Sequence, residues 1–387
     1  MKNLAIIITH PIQYYAPVFQ LLAKRCNLKV FYTWGEDVLK DKYDPGFGKI
    51  ITWDIPLLEG YEYEFVKNIA TNPGSHAKDG INNPDLIKSI ESWKADVVLI
   101  FGWNFISHLQ AMKYFKGKIP VLFRGDSTLL DKASFIKKMV RKLYLSYVYK
   151  FIDYALYVGT ANKKYYTYCG LKNKQLIFAP HAIDNNRFSS INENHQQFIT
   201  ETKNKFQIKD ADITFVFCGK FETKKNPLLL LRAFNKMAQP NVHLIFVGNG
   251  ALENEMKEEA KNNKLIHFLP FQNQSFMPAV YRLGDVYCLP SKGPGETWGL
   301  AVNEAMACSS AVLVSDKCGC AADLVKDGVN GYIFKSNNLQ DLTEKLELMV
   351  INKKHLPAMG NKSFELILDW IFEAIADAVA DVINTKH

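Results

Sequence analysis

Two glutamates stand eight positions apart, Glu296 and Glu304, in the stretch Gly295-Glu296-Thr297-Trp298-Gly299-Leu300-Ala301-Val302-Asn303-Glu304. The stretch follows an apolar run ending in Pro290-Ser291, the pattern of a strand, a loop and the first turns of a helix. At a helix start the amides of Trp298, Gly299 and Leu300 have no intrahelical acceptor, and together with the helix dipole they favour phosphate oxygens. Glu304, further along the helix, is placed to accept hydrogen bonds from a pair of sugar hydroxyls beside those phosphates. A nucleotide sugar suits that combination. Two glutamates at this spacing and nothing more would be an ordinary helix with an acidic first turn.

Four further segments accompany the pair in order. Upstream lie Phe217-Cys218-Gly219-Lys220-Phe221-Glu222-Thr223-Lys224-Lys225-Asn226, the turn Val247-Gly248-Asn249-Gly250, and the run from Ala279 through Tyr287 to Leu289-Pro290-Ser291; downstream lies Asp323-Leu324-Val325-Lys326-Asp327-Gly328-Val329-Asn330-Gly331. In this order they resemble the donor-binding half of the family 4 retaining glycosyltransferases, over roughly residues 176–335, with the first half similar only in outline. The resemblance implies an α/β fold of two Rossmann-like domains facing a central cleft, the glycosyltransferase-B architecture, with a C-terminal helix crossing back to the first domain.

It also implies roles. Lys220 and Lys225 would neutralise the diphosphate leaving group, with Gly219, Gly248 and the loop Thr297-Trp298-Gly299-Leu300 completing the cradle. Glu304 would hold the ribose hydroxyls and Glu296 those of the transferred sugar. Lys220 stands where the family usually has arginine, so the charge is kept and the bidentate fork is lost. Lys224 is the decoy beside Lys225, a solvated loop residue. Transfer would proceed with retention, from a UDP-sugar to a glycan or lipid-linked acceptor, in surface polysaccharide or glycoconjugate biosynthesis. No cofactor and no metal are expected, since the lone D-x-D, Asp210-Ala211-Asp212, lies at the edge of a linker. A catalytically silent nucleotide-sugar-binding protein and a nucleotide-sugar epimerase on the same fold are the alternatives. A nicotinamide oxidoreductase is excluded, because no G-x-G-x-x-G follows the first strand.

The first half departs from the family pattern. After the first strand the chain reads Thr9-His10-Pro11-Ile12-Gln13, and after the strand at Val121 it reads Arg124-Gly125-Asp126. Residues at the carboxyl ends of parallel strands are where α/β domains hold ligands. His10, Gln13, Arg124 and Asp126 are therefore candidates on the acceptor side, Arg124 and Asp126 also for catalysis, and His181, just before the linker, joins them. Each could equally be a turn or capping residue, Asp126 a helix N-cap above all.

The positioning elements follow from pattern. Apolar runs at 5–9, 29–33, 97–101, 121–123, 154–157 and 176–179, then 214–218, 244–247, 266–269, 286–289 and 311–314, alternate with helical segments, as parallel sheets with crossover helices require. A chain of 387 residues suits two domains. The expected division is 1–188, an acceptor-side domain; 189–362, the donor-binding domain; and 363–387, a helix returning to the first. The seven cysteines are an odd, unpaired set, which fits a reducing cytosol, and Cys318-Gly319-Cys320 has no second ligand pair at zinc-site spacing. The amino-terminal apolar run reads as a buried strand, too short for a signal peptide.

Charge is uneven. Residues 1–190 carry 26 Lys and Arg against 16 Asp and Glu, whereas 191–387 carry 21 against 23. The excess is focused at 132–150, where Lys132, Lys137, Lys138, Arg141, Lys142 and Lys150 interleave with Phe135, Ile136, Met139, Val140, Leu143, Tyr144 and Tyr147. Two readings stand: an interfacial helix on anionic lipid, which would place a cytoplasmic protein at the inner face of the membrane, or a domain helix that buries its apolar side and solvates its lysines. Nucleic acid is not expected, because no recognition motif accompanies the charge.

Overall fold

The computed structural model describes every residue except 37–41, 45–48, 52, 76 and 385–387. Internal contacts divide the chain into two units: Met1–Lys42, Ile55–His181 and Phe372–His387 form the first, Tyr43–Asp54 and Ala182–Ile371 the second.

Each unit is built on a parallel sheet. In the first, the spatial order is Glu62–Phe65, Asn27–Tyr32, Asn3–Ile8, Val97–Phe101, Val121–Arg124, Tyr154–Tyr157 and Leu176–Phe178. In the second it is Ile266–Leu269, Val242–Val247, Ile213–Cys218, Val286–Leu289, Ala311–Ser315 and Gly331–Phe334. Ile213–Cys218 and Val242–Val247 are buried along their whole length, which is why they read as unbroken apolar runs rather than alternating ones.

By chain order both sheets run third, second, first, fourth, then outward. The winding reverses between first and fourth strands, and such sheets hold ligands beyond the carboxyl ends of their strands at that point. In the first unit the reversal lies between Asn3–Ile8 and Val97–Phe101, and in the second between Ile213–Cys218 and Val286–Leu289.

The eleven strands expected from sequence are present within two residues at each end. Two edge strands of these sheets escaped the pattern. Glu62–Phe65 alternates acidic and aromatic residues, and its glutamates are matched by the neighbouring strand, where the Lys29 ammonium lies 3.2 Å from Glu62 and 3.0 Å from Glu64. Gly331–Phe334 has only four residues behind a glycine-bounded turn.

The helical spacing near the carboxyl end is divided between two elements. Leu356–Ile367 stays in the second unit, whereas Phe372–Asn384 packs in the first against the helix Ala16–Ala23, burying Ile375, Val379 and Ile383. The helix Phe135–Val148 behaves differently from both. Only Leu145 and Val148 of its residues are buried. Phe135, Ile136, Met139, Val140, Leu143, Tyr144 and Tyr147 are all exposed, Phe135 by 79% and Leu143 by 66%.

Candidate active site

In the second unit, the loops after the two strands at the winding reversal bring opposite charges together. After Ile213–Cys218 the chain passes Gly219 and Lys220, then closes a tight turn in which the amides of Lys225 and Asn226 both donate to the Glu222 carbonyl at 3.1 Å. Pro227 then begins a helix, Pro227–Met237, where its missing N–H costs nothing. After Val286–Leu289 comes the loop carrying Glu296, tied to the first loop by the Lys292 amide, 2.9 Å from the Lys224 carbonyl. The Lys225 ammonium thus meets the Glu296 carboxylate at 2.7 Å, and the Ser291 hydroxyl donates to the same oxygen at 2.8 Å.

Both charged groups are largely buried, with side-chain exposures of 19% and 7%. Burial alone pulls the Lys225 ammonium toward neutrality, but the adjacent Glu296 carboxylate outweighs it and the pKa is raised. Glu296 mirrors this: burial would raise its pKa, and the charge and hydrogen bond of Lys225, with help from Ser291, hold it below the ordinary carboxylate value.

Glu304 lies on the helix Leu300–Ala307, buried, and accepts a hydrogen bond of 2.6 Å from the Tyr281 hydroxyl. Gly299 caps that helix in the left-handed region at φ +103°, and a Cβ there would sit 2.9 Å from the Leu289 side chain. Leu300 follows as the first helical residue and Thr297 lies in the preceding loop, half-buried. Gly248, with φ +141°, lets its turn approach the first loop so closely that a Cβ would fall 2.0 Å from the Gly219 carbonyl oxygen. Lys220 is half-buried directly after Gly219.

Trp298 differs from expectation in one respect. Its indole is buried, donates to the Asn303 side chain at 2.8 Å and packs 5.1 Å from the Trp370 ring, so any part it has in the cradle falls to its backbone. Lys224 is half-exposed and lies 3.9 Å from Glu222, and its charge adds a lesser share to the lowering of the Glu296 pKa. Sequence reasoning assigned nothing to Ser291 or Tyr281, although both fall inside the recognised segments. Neither stands beside its glutamate in the sequence: Ser291 lies 5 positions from Glu296 and Tyr281 lies 23 from Glu304.

Other motifs lie elsewhere. Asp212 sits at the opposite, amino end of the strand Ile213–Cys218, where it caps the Lys209 amide at 2.8 Å and lies 3.3 Å from His243. Six strand residues separate it from the loops, about 20 Å. Cys318 and Cys320 are buried, and burial pushes the Cys318 thiol up to about 12. Among the described residues no three His, Cys, Asp or Glu side chains gather as a metal site would need.

In the first unit, Arg124 is taken up by the scaffold. Its guanidinium donates to the carbonyls of Ala179 at 2.8 Å and Pro180 at 3.0 Å, reaches the Tyr15 hydroxyl at 3.4 Å, and is only 2% exposed. It fixes the segment before His181 rather than offering donors to a ligand. Asp126 stays half-buried, 3.8 Å from the buried His181 imidazole, whose pKa is lowered chiefly by burial, against the pull of Asp126. His10 is paired with the Thr9 hydroxyl at 2.8 Å and meets the Trp34 ring edge-on, and Gln13 lies half-buried in the turn before the helix Ala16–Ala23. The structure therefore gathers Arg124, Asp126 and His181 in one neighbourhood.

Residues 198–365 match the family model described as Glycosyl transferases group 1. That stretch is similar to the group 1 glycosyl transferases, and the chain has a glycosyltransferase-B fold. The fold rests on solved structures: an Anabaena HepE complex with UDP and glucose superposes with a TM-score of 0.72, at 14% identity and 99% coverage of both chains. WaaG, a glycosyltransferase involved in lipopolysaccharide biosynthesis, gives 0.64 at 15% identity, over 99% of this chain and 100% of that one. Among curated relatives, the phosphatidyl-myo-inositol mannosyltransferase of Mycobacterium tuberculosis is 32% identical over 123 residues, 31% of this chain and 32% of that protein. An uncharacterized glycosyltransferase of Haemophilus influenzae is 28% identical over 153 residues, 38% of this chain and 42% of that protein. The chain thus spans about a third of the length of the first of these curated relatives.

Proposed function

We propose that the protein is a retaining glycosyltransferase that moves a sugar from a nucleotide-diphosphate donor, a UDP-sugar, to a lipid-linked or glycan acceptor. The observation that carries this reading is the buried Lys225–Glu296 pair at the winding reversal, beside the start of the helix bearing Glu304. As the glycosidic bond breaks, charge develops on the diphosphate, and a preorganised ammonium with helix-start amides stabilises it without rearrangement. Glu304, oriented by Tyr281, accepts from ribose hydroxyls, and Glu296 from hydroxyls of the transferred sugar. The leaving phosphate assists in taking the acceptor proton, so a second protein carboxylate is not required. Metal-free turnover follows from the same lysines.

A thermal-shift screen of UDP-, GDP- and ADP-sugars tests the donor, since a ligand that binds only the folded state raises stability by mass action. UDP-glucose or another UDP-sugar should raise the melting temperature of wild type and leave Lys225→Ala unmoved. Stabilisation by none of the sugars would remove the reading, as would epimerisation of the donor in the absence of acceptor.

The exposed helix Phe135–Val148 supports a site of action at an anionic membrane. At 100° per residue its exposed apolar side chains fill one half of the helix, Leu145 and Val148 point the other way into the unit, Lys137 and Lys142 border the apolar half, and Lys138 and Arg141 lie on the side of Leu145 and Val148. The apolar half is not buried against the domain, as the domain-helix alternative requires. Among the described residues no helix is long and apolar enough to cross a membrane. Such an element lies in the plane of the interface, apolar face down, with basic residues drawn to anionic headgroups at about 1 kcal/mol each. The protein should sediment with phosphatidylglycerol vesicles at low salt, release at high salt, and ignore neutral vesicles.

A further inference from the structure

Tyr287 sits on the strand Val286–Leu289, at the winding reversal of the second unit, in register with Val216 on one side and Val312 on the other. Side chains alternate along a strand. Val286 and Cys288 enter the apolar core on one face of the sheet, so Tyr287 is turned to the opposite face, where the helix Leu300–Ala307 packs on its strand. The residue is 1% exposed, and its ring meets the Tyr281 ring edge-on at 5.3 Å between centroids.

The two tyrosines are used differently. Tyr281 donates its hydroxyl proton to Glu304 at 2.6 Å. The Tyr287 hydroxyl is just as hidden, yet among the described residues no group meets it in hydrogen-bond geometry. Its polar neighbour is the Cys218 thiol, a weak acceptor. A buried hydroxyl left unbonded costs free energy that a phenyl ring of the same shape does not. It is also a committed donor: burial first, then the neighbouring Cys218, Glu296 and Glu304, push its pKa well above the ordinary 10.0, so the proton stays on. Cys218 ends the strand that leads to Lys225, and Leu289 ends the strand that leads to Ser291 and Glu296. An unspent donor therefore lies in the layer beneath the meeting point of the two loops.

That meeting point makes two demands on one ammonium. Lys225 neutralises Glu296 at 2.7 Å, and in the donor reading it must also meet the diphosphate. If it turns to the phosphates, the largely buried carboxylate keeps Ser291 and loses its stronger partner. Resting on that donor reading, we infer that Tyr287 is a positioning residue of the donor site, its hydroxyl turning to the Glu296 carboxylate as Lys225 moves to the diphosphate. Glu296 is then held in place for the hydroxyls of the transferred sugar while the lysine serves the leaving group.

Two measurements on the intact protein test this. Without nucleotide, the melting temperature should fall in Tyr281→Phe, which loses a bonded hydroxyl, and hold or rise in Tyr287→Phe, which loses an unbonded one. Calorimetric titration with UDP, GDP and ADP should show the diphosphate that wild type prefers bound about tenfold more weakly by Tyr287→Phe. In a Glu296→Gln background, where the carboxylate charge is gone, the same change should cost less than about twofold. If Tyr287→Phe melts lower than wild type, its hydroxyl is already satisfied and the inference is overturned. Unchanged nucleotide affinity overturns it too, and an undiminished loss beside Glu296→Gln shows that the hydroxyl serves the nucleotide rather than Glu296. If wild type binds none of the three diphosphates, the donor reading itself fails and takes this inference with it.

Discussion

The two sheets share one winding order, and each delivers charged residues beyond the carboxyl ends of its strands, yet those charges meet different fates. In the second unit Lys225 and Glu296 neutralise one another across the reversal point, with Ser291 supporting the carboxylate. In the first, Arg124 gives its donors to the carbonyls of Ala179 and Pro180 and becomes part of the frame. A charge satisfied by another side chain can take on a ligand without uncovering any backbone group. One satisfied by two backbone carbonyls cannot be released without leaving those carbonyls unpaired in the interior.

The sharpest way to break this comparison is Lys225→Ala beside Arg124→Lys. Removing Lys225 strands a buried carboxylate, which costs about 3 kcal/mol of stability or more, and should cut donor affinity or turnover at least tenfold, about 1.4 kcal/mol. Arg124→Lys should cost about 1–3 kcal/mol of stability through the carbonyls left unpaired, while the folded fraction keeps its response to UDP-sugar in a thermal-shift assay. If Arg124→Lys abolishes that response, Arg124 belongs to the site and the contrast collapses.

A second measurement uses pH. Glu296 has its pKa lowered, so its stabilising share is complete above the ordinary value of 4.5 and is lost as pH falls through the lowered value. Lys225 has its pKa raised, so its share is complete below 10.5 and is lost only as pH rises through the raised value. The stability difference between wild type and Glu296→Gln, followed by urea unfolding, should stay flat from pH 6 to 9 and shrink below about 4.5. A difference that keeps growing toward acid would show the pair is not charged as described.

Smaller effects should come from orientation. Tyr281→Phe removes the hydroxyl that holds Glu304 and should weaken donor binding several-fold, about 1 kcal/mol, with Glu304→Ala reaching tenfold or more. Equal losses would mean that Tyr281 contacts the donor itself. The smallest expected effects are those of Lys224→Ala and of excess EDTA, both of which should leave turnover nearly unchanged. Loss with EDTA that manganese restores would overturn the metal-free account.

The sheets were legible because parallel strands buried on both faces print as uninterrupted apolar runs, and the second unit's loops because their charged residues stand at fixed distances from those runs. Glu62–Phe65 was not legible, since an edge strand satisfied by Lys29 has no need of an apolar pattern. Trp298 could not be resolved by sequence either, because a tryptophan beside a phosphate-binding turn reads the same whether its ring faces a ligand or, as here, Trp370.

The helix Phe372–Asn384 belongs to the first unit although nearly two hundred residues of the second lie between. A ribosome emitting this chain therefore releases the whole second unit before the first can be finished, and until then the helix Ala16–Ala23 exposes the apolar face that this late partner covers. Damage close to the carboxyl terminus should accordingly be felt at the opposite end of the polypeptide, as an amino-terminal domain that is synthesised early, waits open, and is never sealed.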